Sequence, residues 1–296
     1  MTDERLSLDS EGRTRAYGLM WTWPRMVRAA SAEYLGAGLM LALAFFCWIG
    51  PTLYPHNGLA IHAHHILSAP DRRFALGTDA LGRNVLARLM RGGQTTLAIA
   101  FWASAIGLVA GLAYGMAAGL GPAWIDRLLM RLLDALLAIP TLVLMIFFAA
   151  IMPLGDVGLA TLLGLVSWPG IARLARNETL AARERDYVRA ARQFGANGFY
   201  VAHAHILRAM LPLVVVNATF LMADMILGLS GLSFLGLGIQ PPHASWGGLL
   251  NTGAGLAVIG SWWLIVFPGL AIFLAILAMN MLGQGMLARL NGEASG

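Results

Sequence analysis

The chain alternates between long apolar runs and short polar segments, and the lengths of the runs decide its architecture. Between Arg91 and Asp126 lie 34 consecutive uncharged residues, and between Asp224 and Arg289 lie 64. About 20 residues suffice for one helix to cross the hydrocarbon layer of a bilayer. Six apolar segments emerge, at about 35–54, 95–120, 135–155, 157–173, 210–235 and 260–287, and the pattern predicts an all-α, polytopic membrane bundle of about six transmembrane helices. The fourth segment is the weakest. Its uncharged stretch runs only from Val157 to Ala172, and Pro169 and Gly170 predict that the helix bends or ends there. Five crossings remain the alternative. The domains read as a tail over 1–34, a first span with an external loop over 35–94, a core over 95–290, and a short tail over 291–296.

Two patterns inside this frame carry more information. The second span places Gly107, Gly111, Gly115 and Gly119 four residues apart, which leaves one helix face nearly bare and lets a second helix come close. The 173–208 stretch is polar at its start but is not a featureless linker. In ARERDYVRAARQFGANGFYVAHAHILRAMLP, Tyr187, Val188, Ala191 and Phe194 recur at helical spacing while Arg185, Arg189 and Arg192 line another side. Asp186 to Phe194 is therefore expected to be a short amphipathic helix, with Gly195 as its left-handed cap. Such a helix either lies among lipid headgroups or inserts an apolar face into a groove on a cytoplasmic partner.

Composition sharpens the exclusions. The chain is 58% hydrophobic and 12% charged, with mean hydropathy +0.69. All 20 basic residues are Arg, so neither a phosphate-loop lysine nor a Schiff-base lysine exists. One cysteine, Cys47, forms no intramolecular disulfide, and its place in an apolar run suits lipid or helix packing. The net charge of +5 does not indicate nucleic acid, because the arginines sit in short segments between spans. They act as topology determinants. With six spans, the tail, the 121–134 turn, the 173–208 loop and the C-terminus hold 15 arginines, against 5 on the other side. That asymmetry puts both termini in the cytoplasm, although Arg72, Arg73, Arg83, Arg88 and Arg91 in the 55–94 loop argue the other way. The tail carries no cleavable signal pattern.

A few polar residues within this apolar chain are candidates for function. Asp134 lies at the cytoplasmic end of its helix and is expected to pair with Arg131 or an incoming arginine. Asp224 is deeper and has no charge near it in sequence, which points either to a polar translocation path or to a buried helix-to-helix hydrogen bond. His56, His62, His64 and His65 crowd one external loop without an acid or thiol to complete a metal set, so no metal site is assigned. His203 and His205 read as loop or interface residues, and Asp79 reads as the N-cap of a helix over Ala80 to Met90. No catalytic residue is expected.

The loop around Ala190, Ala191, Gly195, Ile206, Leu211 and Pro212 resembles the EAA loop in membrane subunits of bacterial ABC importers. Around it stand LGTDALGRNVLARL (76–89), MRLLDALLAIP (130–140), LSFLGLGIQPPHASWGGLL (232–250) and FPGLAIFLAILAMNMLGQGM (267–286). Together these are similar to the dipeptide, oligopeptide and nickel permease family, specifically the shorter partner of the permease pair, over about 74–290. Several residues depart from the family pattern. Arg189 replaces the usual Glu, Asp186 a Glu, Arg208 a common Pro and Asn84 an Asp, and Leu229 stands where related permeases often carry Glu.

The resemblance implies a non-catalytic subunit of a binding-protein-dependent importer in the bacterial cytoplasmic membrane. Its partners would be a second permease subunit, two ATPase subunits, an external substrate-binding protein and the lipid bilayer. Arg185, Asp186, Tyr187, Val188, Arg189, Ala190, Ala191, Phe194, Gly195 and Ala196 would form the ATPase-coupling surface. The chain itself would hold no cofactor, since ATP and Mg bind the partner ATPases. Peptide is the leading substrate expectation, with nickel or a metal chelate as the alternative in the same family. An ion-coupled secondary transporter using Asp224 is the rival from another class, but no inverted repeat supports it.

Overall fold

The computed structural model describes residues 31–54, 58–152 and 154–293. His56, most of the 1–34 tail and the end of the 291–296 tail lie outside them. The described residues form helices α1 (Ser31–Trp48), α2 (Gly50–Leu53), α3 (Val85–Leu120), α4 (Ala123–Leu137), α5 (Thr141–Ile151) and α6 (Asp156–Arg183). They continue with α7 (Asp186–Gln193), α8 (Gly198–Tyr200), a π-helical turn (Val201–Ile206), α9 (Leu207–Phe234), α10 (Trp246–Ala254) and α11 (Trp263–Glu293). No strand occurs among the described residues, where one isolated bridge joins Thr78 to Asn84. Five helices are long and apolar enough to cross a membrane, and α4 with α5, bent by 75° at their junction, makes a sixth crossing.

The glycine repeat positions the centre of the bundle. A Cβ on Gly107 would meet Ser167 Oγ at 2.7 Å, one on Gly111 would meet Ile171 Cβ at 2.6 Å, and one on Gly119 would meet Thr179 Cβ at 2.7 Å. The contacted residues advance along α6 as the glycines advance along α3, so the two helices run parallel in backbone-close contact. Two parallel neighbours need a return between them, and α4 and α5 are the chain that provides it. At the other edge, Gly36 of α1 lies against Ala278 and Leu282 of α11, while Gly285 lies against Glu33. Here the numbers run in opposite senses. The start of α1 and the end of α11 therefore share one end of the bundle, joined by Glu33 and Arg289 at 3.1 Å.

Three sequence expectations change. The fourth span does not stop at Pro169; α6 continues through it to Arg183. The missing N–H of a mid-helix proline is tolerated because α6 is held along its length by α3 and Pro169 itself is buried. The stretch predicted as a 173–208 loop is accordingly the end of α6 followed by further helix, broken only at 184–185 and 194–197. Asp79 caps nothing. The N-cap of α3 is Asn84, whose side chain accepts from the Ala87 N–H, and α3 begins at Val85 rather than near 95. Asp79 is buried at 2% exposure and accepts from the Leu81 and Arg83 N–H groups at 2.9 Å and from Arg83 Nε at 2.7 Å.

The loop before α3 is packed rather than loose. Phe74 is buried, with His62 and His65, both half-buried, each 5.4 Å from its ring. Trp263 Nε1 donates to the Thr78 carbonyl at 3.1 Å. Cys47 lies against Gly93 and is fully buried, which makes it a packing residue.

Candidate functional site

The end of the bundle that carries α7 is built on α6 and α9. Ala175 and Ala182 of α6 and Met210 and Val214 of α9 form a small apolar cluster with Val201 and Ile206 of the π-helical turn, and Val188 of α7 plugs into it with no exposed surface. Gly195 has φ +84°. The Ala196 N–H reaches the Ala191 carbonyl at 3.0 Å and the Phe194 N–H reaches the Ala190 carbonyl at 3.1 Å, a left-handed helix termination that only glycine adopts without strain. Asn197 then caps the next turn by accepting from the Tyr200 N–H.

The predicted helix over Asp186 to Phe194 is thus present as α7, but its apolar face is divided. Val188 points inward, with Ala190, Ala191 and Ala196 half-buried, whereas Tyr187 is exposed and Phe194 is 91% exposed. Arg185 and Asp186 are exposed. Arg189, in the place of the family's usual glutamate, pairs with Glu184 of its own chain. Tyr187 and Tyr200 flank His205 at ring separations of 5.9 and 5.6 Å, so His203 and His205 sit in a helical turn joining α7 to α9, not in a loop.

Ion pairs bind this end to the α4 segment. Asp126 accepts from Arg176 Nε at 2.8 Å and Nη2 at 2.6 Å, a two-pronged contact that suits the planar guanidinium. Asp134 meets Arg173 at 2.6 Å, the incoming arginine rather than Arg131. Arg183 donates to the Gly119 carbonyl at 2.6 Å and thereby closes the last turn of α3.

Asp224 lies on an open face of α9, and no hydrogen bond or ion pair joins it to another described residue. It is not a buried helix-to-helix bond. Leu229 is fully buried and so lies on a different face from Asp224. A carboxylate at membrane depth needs water or protein beside it.

Sequence reasoning missed a largely apolar cavity with a few polar groups at the opposite end. It is walled by Gln94 and Thr95 of α3, Trp48 of α1, Asp156 at the start of α6, and His243 before α10. The available signal was local: Arg88, Arg91, Thr95 and Trp102 recur at three, four and seven residues along the start of α3, a polar stripe on an apolar helix.

The comparisons with known proteins bear on this architecture as a whole. Residues 94–293 match the model of the family described as binding-protein-dependent transport system inner membrane component. A putative peptide permease protein of Brucella suis is 36% identical over 256 residues, covering 86% of this chain and 85% of that protein. A glutathione transport system permease protein of Pectobacterium atrosepticum is 34% identical over 265 residues, covering 89% and 87%. A di/tripeptide transport system permease protein of Pseudomonas aeruginosa is 34% identical over 259 residues, covering 85% of each. With a family model spanning most of the chain and relatives aligned along nearly all of it, this chain belongs to the family of inner membrane components of binding-protein-dependent transport systems.

Proposed function

We propose that this chain is one of two permease subunits of an ATP-driven importer of short peptides, and that α7 is its contact with the ATPase subunits. The relatives named above are a peptide, a glutathione and a di/tripeptide permease, which favours peptide over nickel. ATP and Mg belong to the partner ATPases, because a chain without lysine lacks the phosphate-loop side chain that such hydrolysis uses. A binding protein delivers substrate at the end opposite α7. Asp224 faces the path between the two permeases, where water satisfies its carboxylate.

One observation carries the coupling reading. Phe194 stands 91% exposed at the end of a helix whose base, Val188, is locked into the bundle with no exposed surface. A fixed stalk with an aromatic tip fits a hydrophobic groove on a partner, and closure of that partner moves α6 and α9 together through the shared cluster. The test is uptake by the reconstituted complex carrying Phe194→Ala or Gly195→Pro. Both variants are expected to insert at normal levels and to lose most peptide uptake, with ATPase subunits recovered poorly on purification. Normal uptake in both would remove the coupling reading.

A further inference from the structure

Two cavities share a wall at the end opposite α7. The larger, about 760 Å³, lies against Trp48, Gln94, Thr95, Trp102, Asp156 and His243, a volume in the range of small-ligand sites. The smaller, about 250 Å³, continues past Gln94, Thr95 and His243 to Arg88 and Arg91. An acid and two bases therefore stand on either side of one imidazole, with His243 Nδ1 3.4 Å from Asp156 Oδ2.

Arg88 distinguishes this place from an ordinary crevice. It is only 9% exposed, and among the described residues its Nε and Nη1 atoms are buried without a hydrogen-bond partner. The acid beside it, Asp79, stands 3.5 Å from Nε and is already engaged by Arg83 at 2.7 Å. Asp79 thus balances the charge of Arg88 without satisfying all of its donors, and a further acceptor at the guanidinium would be favourable. The planar fork suits the paired oxygens of a carboxylate or a phosphate, and a peptide supplies the former.

Resting on the peptide-importer reading, the geometry points to a receiving site for a short peptide with both termini free. Its carboxylate sits on Arg88 and Arg91, its amine on Asp156, and its side chains against Trp48 and Trp102. Charge at both ends admits a zwitterion of either sequence order and rejects blocked peptides. Aromatic walls accept side chains without regard to their detail. Such a site accepts many short peptides and discriminates by their ends.

The test uses the complete reconstituted complex with alanyl-alanine as probe. Cys47 is buried, so Thr95→Cys supplies the one accessible thiol of this chain for an impermeant maleimide, read on this subunit's band. Alanyl-alanine is expected to slow that labelling, and Asp156→Asn or Arg91→Gln to abolish the protection. Asp156 and Arg91 both reach the surface, so these variants keep the fold that Arg88 helps to hold. Each should also lower uptake per ATP hydrolysed by about tenfold, the scale of one lost charge-assisted hydrogen bond. Labelling of Thr95→Cys indifferent to alanyl-alanine in a complex that still imports it would overturn the site and leave the importer reading standing. A wild-type complex that imports no peptide would remove both.

Discussion

Gly115 and Gly170 are both helical glycines with opposite surroundings, and the contrast shows what single residues contribute here. A Cβ on Gly115 would run into the Ala172 carbonyl and come within 2.8 Å of the Arg176 backbone nitrogen, both backbone groups that move only with their helix. A Cβ on Gly170 would meet nothing within 4 Å. Gly115→Ala should therefore push α3 and α6 apart and cost about 1–3 kcal/mol or more. Gly170→Ala should gain about 0.5–1 kcal/mol from reduced chain entropy. Thermal unfolding in mild detergent reads both, and equal shifts would mean that close α3 to α6 contact is not what the glycines provide. The four-residue repeat of these glycines was legible because helix periodicity is local. Their partner was not, since nothing between 107 and 119 identifies Ser167, Ile171 or Thr179 as the facing residues. Asp79 was misread for a related reason: an acid before an apolar run fits an N-cap, and only the fold reveals that Arg83 and the Leu81 N–H have claimed it.

Elements rather than residues carry coupling between the α7 end and the rest of the bundle. The helix α4 has few buried residues of its own and is tied to α6 by the Asp126–Arg176 and Asp134–Arg173 pairs. The first is two-pronged and partly buried, while the second is exposed on both sides and contributes little. Arg176→Gln is expected to loosen α4 at a cost on the order of 1 kcal/mol and to reduce peptide uptake more than ATP hydrolysis. Exchanging the two residues, Asp126→Arg with Arg176→Asp, should restore much of the uptake. A double variant no better than the worse single one would show that the pair has no joint role. This scale also separates what the sequence could reveal. Asp186 to Gln193 was legible as a helix with a glycine cap because both signals are short-range. The run of α6 through Pro169 was not, because a proline's local preference was overruled by contacts with a helix more than 50 residues away. The cavity was hidden for the same reason, as its walls come from residues 48, 94, 156 and 243.

For the whole molecule, the packing senses decide the number of crossings where composition left five and six open. α1 runs antiparallel to α11, so the first and last helices begin and end on one side. An even number of passages follows, and five long helices give an odd one. The bent α4 and α5 pair must therefore complete a crossing, even though α5 has only 11 residues. By the positive-inside rule, the arginine count of 15 against 5 predicts that this shared side is cytoplasmic. On that prediction Phe194 faces inward and Val258, 95% exposed in the segment between α10 and α11, faces outward. Cys47 is buried, so single cysteines at these positions are expected to report cleanly. In intact cells an impermeant maleimide should label Val258→Cys and spare Phe194→Cys until the membrane is opened. Labelling of both in intact cells would break the parity argument, since it would put the α7 end and the α10 end on the same side. Labelling of Phe194→Cys alone would preserve the parity and invert the orientation, leaving the arginines of the 55–94 loop as the better guide to topology.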